Sequence, residues 1–261
     1  MPEDAKNWDN VASDYQRTYK LGINDYCAEL IDFLKSGKMV FPGCRVIDIG
    51  CGVGKYGTQL AKLGCDVTLT DISGKMLEHA SQNMSQFTSP WRIYRCDFTD
   101  VTGNEDVFKD GFDFSMSTMS PAICDKKTVQ KMSNMTNGWC FLARFTSWKQ
   151  PSRDRLLSAL GIAPKPPFDG LPEDCAMMIQ AVSASGFVPL VKYVDYNWCD
   201  RRTPEEMAEY TLSRVFADDS QKPEYTAVLH TAKALCGEDG LFEDSVFTKV
   251  AWIYWKTEER T

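Results

Sequence analysis

The feature that most constrains the fold is a short apolar strand that runs directly into a glycine-rich loop. Residues 46–54 read Val-Ile-Asp-Ile-Gly-Cys-Gly-Val-Gly, and a second apolar run, 66–70, ends in Asp71. Glycines tolerate positive φ and let a backbone approach a ligand closely, because they carry no side chain. An acid that follows the second strand can accept hydrogen bonds from two ribose hydroxyls. The two strand endings therefore predict a site for a nucleoside-bearing cofactor.

Strand and helix patterns alternate along the rest of the chain, with short apolar runs between segments of helical periodicity. Such alternation predicts an α/β fold with a mostly parallel sheet covered on both faces. The last strand has no crossover helix directly before it, which favours an antiparallel edge strand. We expect a doubly wound, seven-stranded, Rossmann-like sheet with strands at 45–49, 66–70, 91–96, 112–119, 138–147, 188–198 and 246–256, and helices at 8–35, 55–63, 73–86, 105–109, 125–134, 173–185, 203–216 and 223–237.

The order of these elements predicts one domain over 1–261. Residues 1–40 form a helical cap at its start. Residues 199–245 interrupt the last strands as a helical insertion. Because an insertion there lies near the ligand end of the sheet, we expect it to act as a lid.

Composition restricts the class of partner. The net charge is −7 and no long basic run occurs, which argues against a nucleic-acid partner, since phosphate binding needs a clustered positive face. No run of 18 apolar residues exists, so no membrane span is expected. The polar N-terminus lacks the apolar core of a signal peptide, so we expect a cytoplasmic protein. The ten cysteines form no CxxC pair and only two histidines exist, so we expect reduced, mostly buried thiols and no metal site.

Two cofactors fit the glycine loop. The segment Gly52-Val-Gly54-Lys-Tyr-Gly57 has the GxGxxG spacing of dinucleotide sites, with Asp71 about 20 residues further on. Asp48, however, lies where a pyrophosphate would pass. Its carboxylate repels phosphate but suits a ligand with a positive amino group. The sequence also shows no second domain to hold a hydride acceptor. S-adenosylmethionine, which has a ribose and a cationic sulfonium but no phosphate, fits better than a nicotinamide dinucleotide.

At this point the sequence resembles the class I S-adenosylmethionine-dependent methyltransferases. The segment from Asp48 to Gly54 is similar to their glycine-rich first motif, and the Trp8-Asp9-x-x-Ala12-x-x-Tyr15 pattern to the N-terminal helix of many small-molecule members. The resemblance implies S-adenosylmethionine as cofactor. It also implies cofactor contacts from residues of the loop and of the next two strand ends: Asp48, Gly50, Cys51, Gly52, Asp71 on the ribose, Ile72 on the adenine, Asp97 on the exocyclic amine, and Phe98.

Further candidates come from their positions. Tyr15 and Tyr19 on the first helix can stabilise a sulfonium by cation–π attraction. Met119 and Ser120 follow the fourth strand, where the transferred methyl should emerge, so we expect Met119 to contact the cofactor and Ser120 the substrate. Trp198, at the boundary of the insertion, is a candidate substrate contact. No residue is identified as a general base; Tyr15, Asp195, Glu209 and His230 are all possible.

The segment after the fourth strand narrows the acceptor. Enzymes of this class that methylate amino groups of nucleic-acid bases carry Asn/Asp-Pro-Pro-aromatic there, whereas this chain has Met119-Ser120-Pro121-Ala122. We therefore expect a methyltransferase that acts on a small-molecule acceptor, with positioning as its main catalytic device. A nicotinamide-dependent oxidoreductase and a non-catalytic S-adenosylmethionine-binding module remain the alternatives.

Overall fold

The computed structural model describes residues 5–20, 25–103, 105–164, 170–216 and 222–258. The chain divides into two compact units. The first comprises residues 1–145, 172–194 and 251–261, and the second comprises 146–171 and 195–250. The second unit thus includes residues 146–171 as well as the predicted insertion 199–245. Whether it acts as a lid stays a prediction.

The seven-stranded sheet has the order β3-β2-β1-β4-β5-β7-β6. Neighbouring strands from β3 to β5 pair in parallel, with Arg45 opposite Asp66 and Val46 opposite Phe114. The last strand is antiparallel, as expected. The prediction that it forms an edge is wrong, because β7 lies between β5 and β6 and leaves β6 at the edge. The strands are β1 (Arg45–Ile49), β2 (Asp66–Asp71), β3 (Trp91–Arg95), β4 (Phe112–Thr118), β5 (Thr136–Lys149), β6 (Leu190–Arg202) and β7 (Phe242–Lys256).

The helices begin where local capping chemistry allows. Ser73 accepts a hydrogen bond from the Met76 N–H, and Thr203 accepts one from the Glu206 N–H. The predicted helix at 105–109 is wrong, since residues 106–110 form turns. The helices are α1 (Ala5–Lys20), α2 (Asp25–Ser36), α3 (Lys55–Lys62), α4 (Gly74–Met84), α5 (Lys126–Asn134), α6 (Pro151–Ala159), α7 (Leu171–Ala184), α8 (Pro204–Tyr210), a π-helical turn (Thr211–Val215) and α9 (Tyr225–Ala234).

The first unit buries apolar side chains on both faces of its sheet. On one face Ile47 and Ile49 pack with residues of α5 and α7, and the Trp255 indole donates to Ser133 Oγ at 3.0 Å. On the other face the Trp252 indole donates to the Tyr26 hydroxyl at 2.9 Å. Within the part of the chain that the structure describes, no helix has the length and apolar character needed to cross a bilayer.

The second unit has a small apolar core and a buried polar network. Leu156, Met207, Val228 and Phe242 belong to the core. Two pairs belong to the network: Gln150 Nε2 donates to both carboxylate oxygens of Asp244 at 2.8 and 2.9 Å, and Arg202 forms an ion pair with Asp200 at 2.7 Å. All four network side chains are almost fully buried.

Candidate functional site

The glycine loop after β1 is hydrogen-bonded to the end of β2. The N–H groups of Gly50 and Cys51 both donate to the Thr70 carbonyl, at 2.8 and 2.9 Å. Gly50, Gly52 and Gly54 have φ values of +70°, +55° and +79°. These angles lie in the left-handed region, which side chains other than glycine seldom adopt. The loop therefore depends on glycine at these positions, as the sequence predicted.

Gly50 is also required for space. A Cβ added to it would lie 1.9 Å from Ser120 Oγ and 2.7 Å from Ser120 Cβ. Ser120, after β4, is almost fully buried, and its Oγ accepts a hydrogen bond from the Ala122 N–H at 3.3 Å. The glycine loop thus contacts the segment after β4 directly. Sequence reasoning placed both residues in the site but did not predict that they touch.

Asp48 is fully buried, and neither of its carboxylate oxygens has a hydrogen-bond partner among the residues that the structure describes. Burial, and secondarily the charge of Asp71, raise the pKa of this carboxyl to about 7. Buried carboxylates normally have partners, because an uncompensated one is costly. The arrangement suits a ligand that brings its own donor or positive charge.

Asp71 holds the loop from the end of β2. Its Oδ2 accepts from the Gly52 N–H and its Oδ1 from the Ser73 N–H, both at 2.9 Å. Burial raises the pKa of Asp71, while these backbone hydrogen bonds oppose the rise. Each carboxylate oxygen has a second lone pair that can accept a further donor. Asp71 can therefore bind ribose hydroxyls while it keeps the loop in place.

The next strand end carries the residues expected near an adenine. Asp97 Oδ1 accepts from the N–H and hydroxyl of Thr99, at 2.9 and 2.7 Å. Phe98 is buried with its ring in the core, and its carbonyl accepts from Lys131 Nζ at 2.9 Å. Ile72 is partly buried beside Asp71. Cys51 is buried in the loop, with its Sγ directed to the Gly52 carbonyl at 3.4 Å. Their contacts with a cofactor stay predictions.

Helix α1 packs against the loop through Ala12, which forms a small apolar cluster with Val53 and Met76. Tyr19 packs against this cluster. Tyr15 is exposed, and its ring makes an edge contact with Trp8 at a centroid separation of 6.2 Å. Of the two tyrosines, Tyr19 is the one that packs beside the loop. The sequence could not distinguish them, because both lie at helical spacing on α1.

Met119 has an unusual backbone. Its φ is +53°, although it is neither glycine nor asparagine, and its N–H donates to the Ala143 carbonyl at 3.1 Å. A bulky residue in the left-handed region stores strain of about 1–3 kcal/mol, and such strain clusters at functional sites. This observation agrees with the prediction that the segment after β4 belongs to the site.

The remaining candidates lie in the second unit. Trp198 contacts two other rings, Trp148 at 5.1 Å and Tyr196 at 4.7 Å between centroids. A substrate contact from Trp198 stays a prediction. Among the possible bases, Asp195, Glu209 and His230 are exposed, and Asp195 forms an ion pair with Lys249 at 2.8 Å.

An open α/β sheet with its glycine loop, buried acid and second acid at the carboxyl ends of adjacent strands defines a protein that binds a nucleoside-type ligand at that edge. Comparison with known proteins specifies the class. Residues 46–137 match the family described as "Methyltransferase domain". Over these residues the chain is similar to the class I methyltransferases, whose cofactor is S-adenosylmethionine.

Individual relatives match only locally. Ribosomal RNA small subunit methyltransferase C of Haemophilus influenzae is 32% identical over 92 residues, which are 32% of this chain and 28% of that protein. Magnesium-protoporphyrin O-methyltransferase of Rhodobacter capsulatus is 43% identical over 42 residues, 16% of this chain and 19% of that protein. The chain thus spans less than a third of either relative.

Several solved structures match over most of the chain, and one of them illustrates the similarity. The crystal structure of precorrin 8w decarboxylase from Methanobacterium thermoautotrophicum covers 90% of this chain and 91% of its own, with 12% identity and a TM-score of 0.50. At this identity the similarity shows the fold alone.

Proposed function

We propose that this protein transfers a methyl group from S-adenosylmethionine to a small-molecule acceptor. The observation that carries the proposal is the buried carboxylate of Asp48, whose two oxygens have no partner among the described residues. The amino group of the cofactor's methionine moiety supplies the positive donor that such a carboxylate needs. A diphosphate would add negative charge beside Asp48 and Asp71, which disfavours a nicotinamide dinucleotide.

Each residue of the site has a defined task. Asp48 would hold the ammonium group, Asp71 would accept from the ribose hydroxyls, and the glycine loop would allow the backbone to approach them closely. When bound, S-adenosylmethionine would supply an electrophilic methyl group on a cationic sulfur, with the neutral thioether S-adenosylhomocysteine as the leaving group. Met119 would contact the cofactor, and Ser120, which lies against Gly50, would contact the acceptor. Because the leaving group is good, such a site gains rate mainly by orientation.

Charge and the segment after β4 support a small acceptor. The net charge of −7 disfavours polyphosphate ligands, and Ser120-Pro121-Ala122 lacks the amide or acid that would hold the exocyclic amine of a base. The ribosomal RNA relative makes RNA the competing acceptor to test. A screen of small amines, thiols, phenols and carboxylic acids, with ribosomal RNA as a separate arm, would follow release of S-adenosylhomocysteine. Turnover with RNA alone would contradict the small-molecule proposal.

The cofactor assignment is tested without an acceptor. We expect calorimetry to show binding of S-adenosylhomocysteine and none of NAD or NADP. We expect Asp48→Asn to weaken this binding by about 10-fold to 100-fold, from loss of a charge-assisted hydrogen bond of about 1.5–3 kcal/mol. The same variant should raise the free energy of unfolding of the unliganded protein by about 1–3 kcal/mol, because it removes a buried, unpartnered charge.

Asp66→Asn is the matched control, since Asp66 lies at the opposite end of β2 and pairs with Arg92 at the surface. It should leave both quantities near their wild-type values. Binding of NADP in preference to S-adenosylhomocysteine would overturn the proposed function.

A further inference from the structure

Helix α1 is joined to helix α4 by polar side chains at two places. Near its start, Asp9 Oδ1 accepts from Ser73 Oγ at 2.5 Å and from the Lys75 N–H at 3.2 Å. Further along, Gln16 and Asn83 exchange two amide hydrogen bonds, at 3.0 and 2.8 Å. Gln16 and Asn83 are each only 7% exposed, so water competes little for these bonds.

Both connections continue to the glycine loop. The Asn83 side-chain amide also donates to the Val53 carbonyl at 2.9 Å. Ser73 donates its N–H to Asp71, which in turn accepts from the Gly52 N–H. One residue, Asn83, therefore separates α1 from the loop backbone on the Gln16 route, and two residues, Ser73 and Asp71, separate it on the Asp9 route.

Apolar packing and hydrogen bonds both dock α1. Ala12 is buried in a small apolar cluster, against which three partly buried side chains of α1 also pack: Trp8, Val11 and Tyr19. The hydrogen bonds of Asp9 and Gln16 differ from these apolar contacts, because the positions of their partners depend on the glycine loop and on Asp71.

The geometry points to Gln16 and Asn83 as positioning residues that couple the docking of α1 to occupancy of the glycine loop. The inference rests on the proposed cofactor site. A ligand that fixes the Gly52–Val53 backbone fixes the Val53 carbonyl and thereby Asn83, which is the partner of Gln16. Coupling of this kind is reciprocal: if the ligand tightens α1, weakening α1 must weaken the ligand by the same factor.

Hydrogen exchange and calorimetry test the coupling with S-adenosylhomocysteine alone. In the wild-type protein we expect saturating ligand to slow amide exchange within residues 5–20 by about fivefold or more. We expect Gln16→Met, which keeps the side-chain volume but removes both amide bonds, to weaken ligand binding by a similar factor and to reduce the ligand-dependent slowing. Gln82→Met, an exposed position next to Asn83 on α4, should behave as wild type.

The alternatives are separable. If Gln16→Met lowers the melting temperature but leaves the dissociation constant and the ligand-dependent exchange unchanged, the amide pair is only structural and the coupling is overturned, while the proposed function stands. If Gln16→Met does not fold, Asp9→Ala at the more exposed connection provides the same comparison. If wild-type protein binds no S-adenosylhomocysteine, the proposed function and the coupling both fall.

Discussion

The glycine loop of the first unit and the polar interior of the second unit hold their charges in different ways. At the loop, Asp71 accepts from the backbone N–H of Gly52, and Asp48 has no partner among the described residues. In the second unit every buried acid noted above has a nitrogen partner, and Gln150 and Asp244 are 94 positions apart in the chain. The Asp48 oxygens can therefore accept hydrogen bonds from a ligand, whereas the carboxylates of Asp200 and Asp244 bind side chains of the protein itself.

The largest effect on stability is expected from Asp200→Ala, which removes the ion-pair partner of the buried Arg202. Loss of one member of a buried pair costs about 3–5 kcal/mol. Hydrogen exchange should quicken within 195–202 and 242–250, while the affinity for S-adenosylhomocysteine stays unchanged. The double variant Asp200→Ala/Arg202→Met should recover much of the loss, since no buried charge of this pair remains. A large fall in ligand affinity in Asp200→Ala would break the distinction between the two regions.

Gly50→Ala tests the contact between the loop and Ser120. The added methyl overlaps Ser120, and φ of +70° is strained for alanine, so we expect a loss of about 2–4 kcal/mol in the free energy of unfolding, together with loss of ligand binding. Gly43→Ala is the matched control, because Gly43 has φ of +82° but nothing within 4 Å of the added methyl. Equal losses in the two variants would show that the Ser120 contact is unimportant.

Asp71→Ala measures how much the second acid of the first unit contributes to ligand binding. It removes charge-assisted bonds to the ribose of about 1.5–3 kcal/mol, so we expect a roughly tenfold or greater fall in S-adenosylhomocysteine affinity. Calorimetry with Asp66→Asn alongside separates this effect from a general change in charge. Unchanged affinity would remove Asp71 from the binding site.

The smallest effect is expected from pH. The pKa of Asp48 is raised to about 7, above its ordinary value, so the unliganded protein gains stability from the protonated form. That stability is full below the unfolded pKa and is lost as pH rises through about 7. Ligand binding needs the ionised form, so affinity should fall by up to about tenfold per pH unit as pH drops below 7. Titration calorimetry from pH 8 to 6 should show this slope in wild type and a flat profile in Asp48→Asn.

The sequence predicts the parts of this molecule that short-range patterns control. Strands β1 and β2, their glycine loop and the cap of α4 by Ser73 follow from neighbouring residues, because strand alternation, positive φ and capping act over a few positions. The same patterns could not place β7, since an antiparallel strand can pair at an edge or between two others without any change in its own residues.

Sequence patterns also do not predict contacts between side chains that are far apart in the chain. Gln16 and Asn83 are polar residues at helical positions where an exposed face is the ordinary expectation, and only the folded chain brings their amides together. The helix predicted at 105–109 contains Glu105 and Lys109, which have helical propensity, and tertiary context overrides that propensity with turns at 106–110. The overlap that forbids a Cβ at Gly50 depends on Ser120, which lies 70 positions further along the chain in the segment after β4.

That overlap has a consequence for how the protein can diversify. Ser120 occupies the volume that a side chain at position 50 would need, so a bulkier residue at 120 would press on the loop that we propose receives the methyl donor. Selection for a new acceptor therefore meets resistance at position 120 and finds room at positions more distant from the loop. At the contact between Gly50 and Ser120, a change that would suit a new acceptor would thus disturb the loop proposed to bind the methyl donor.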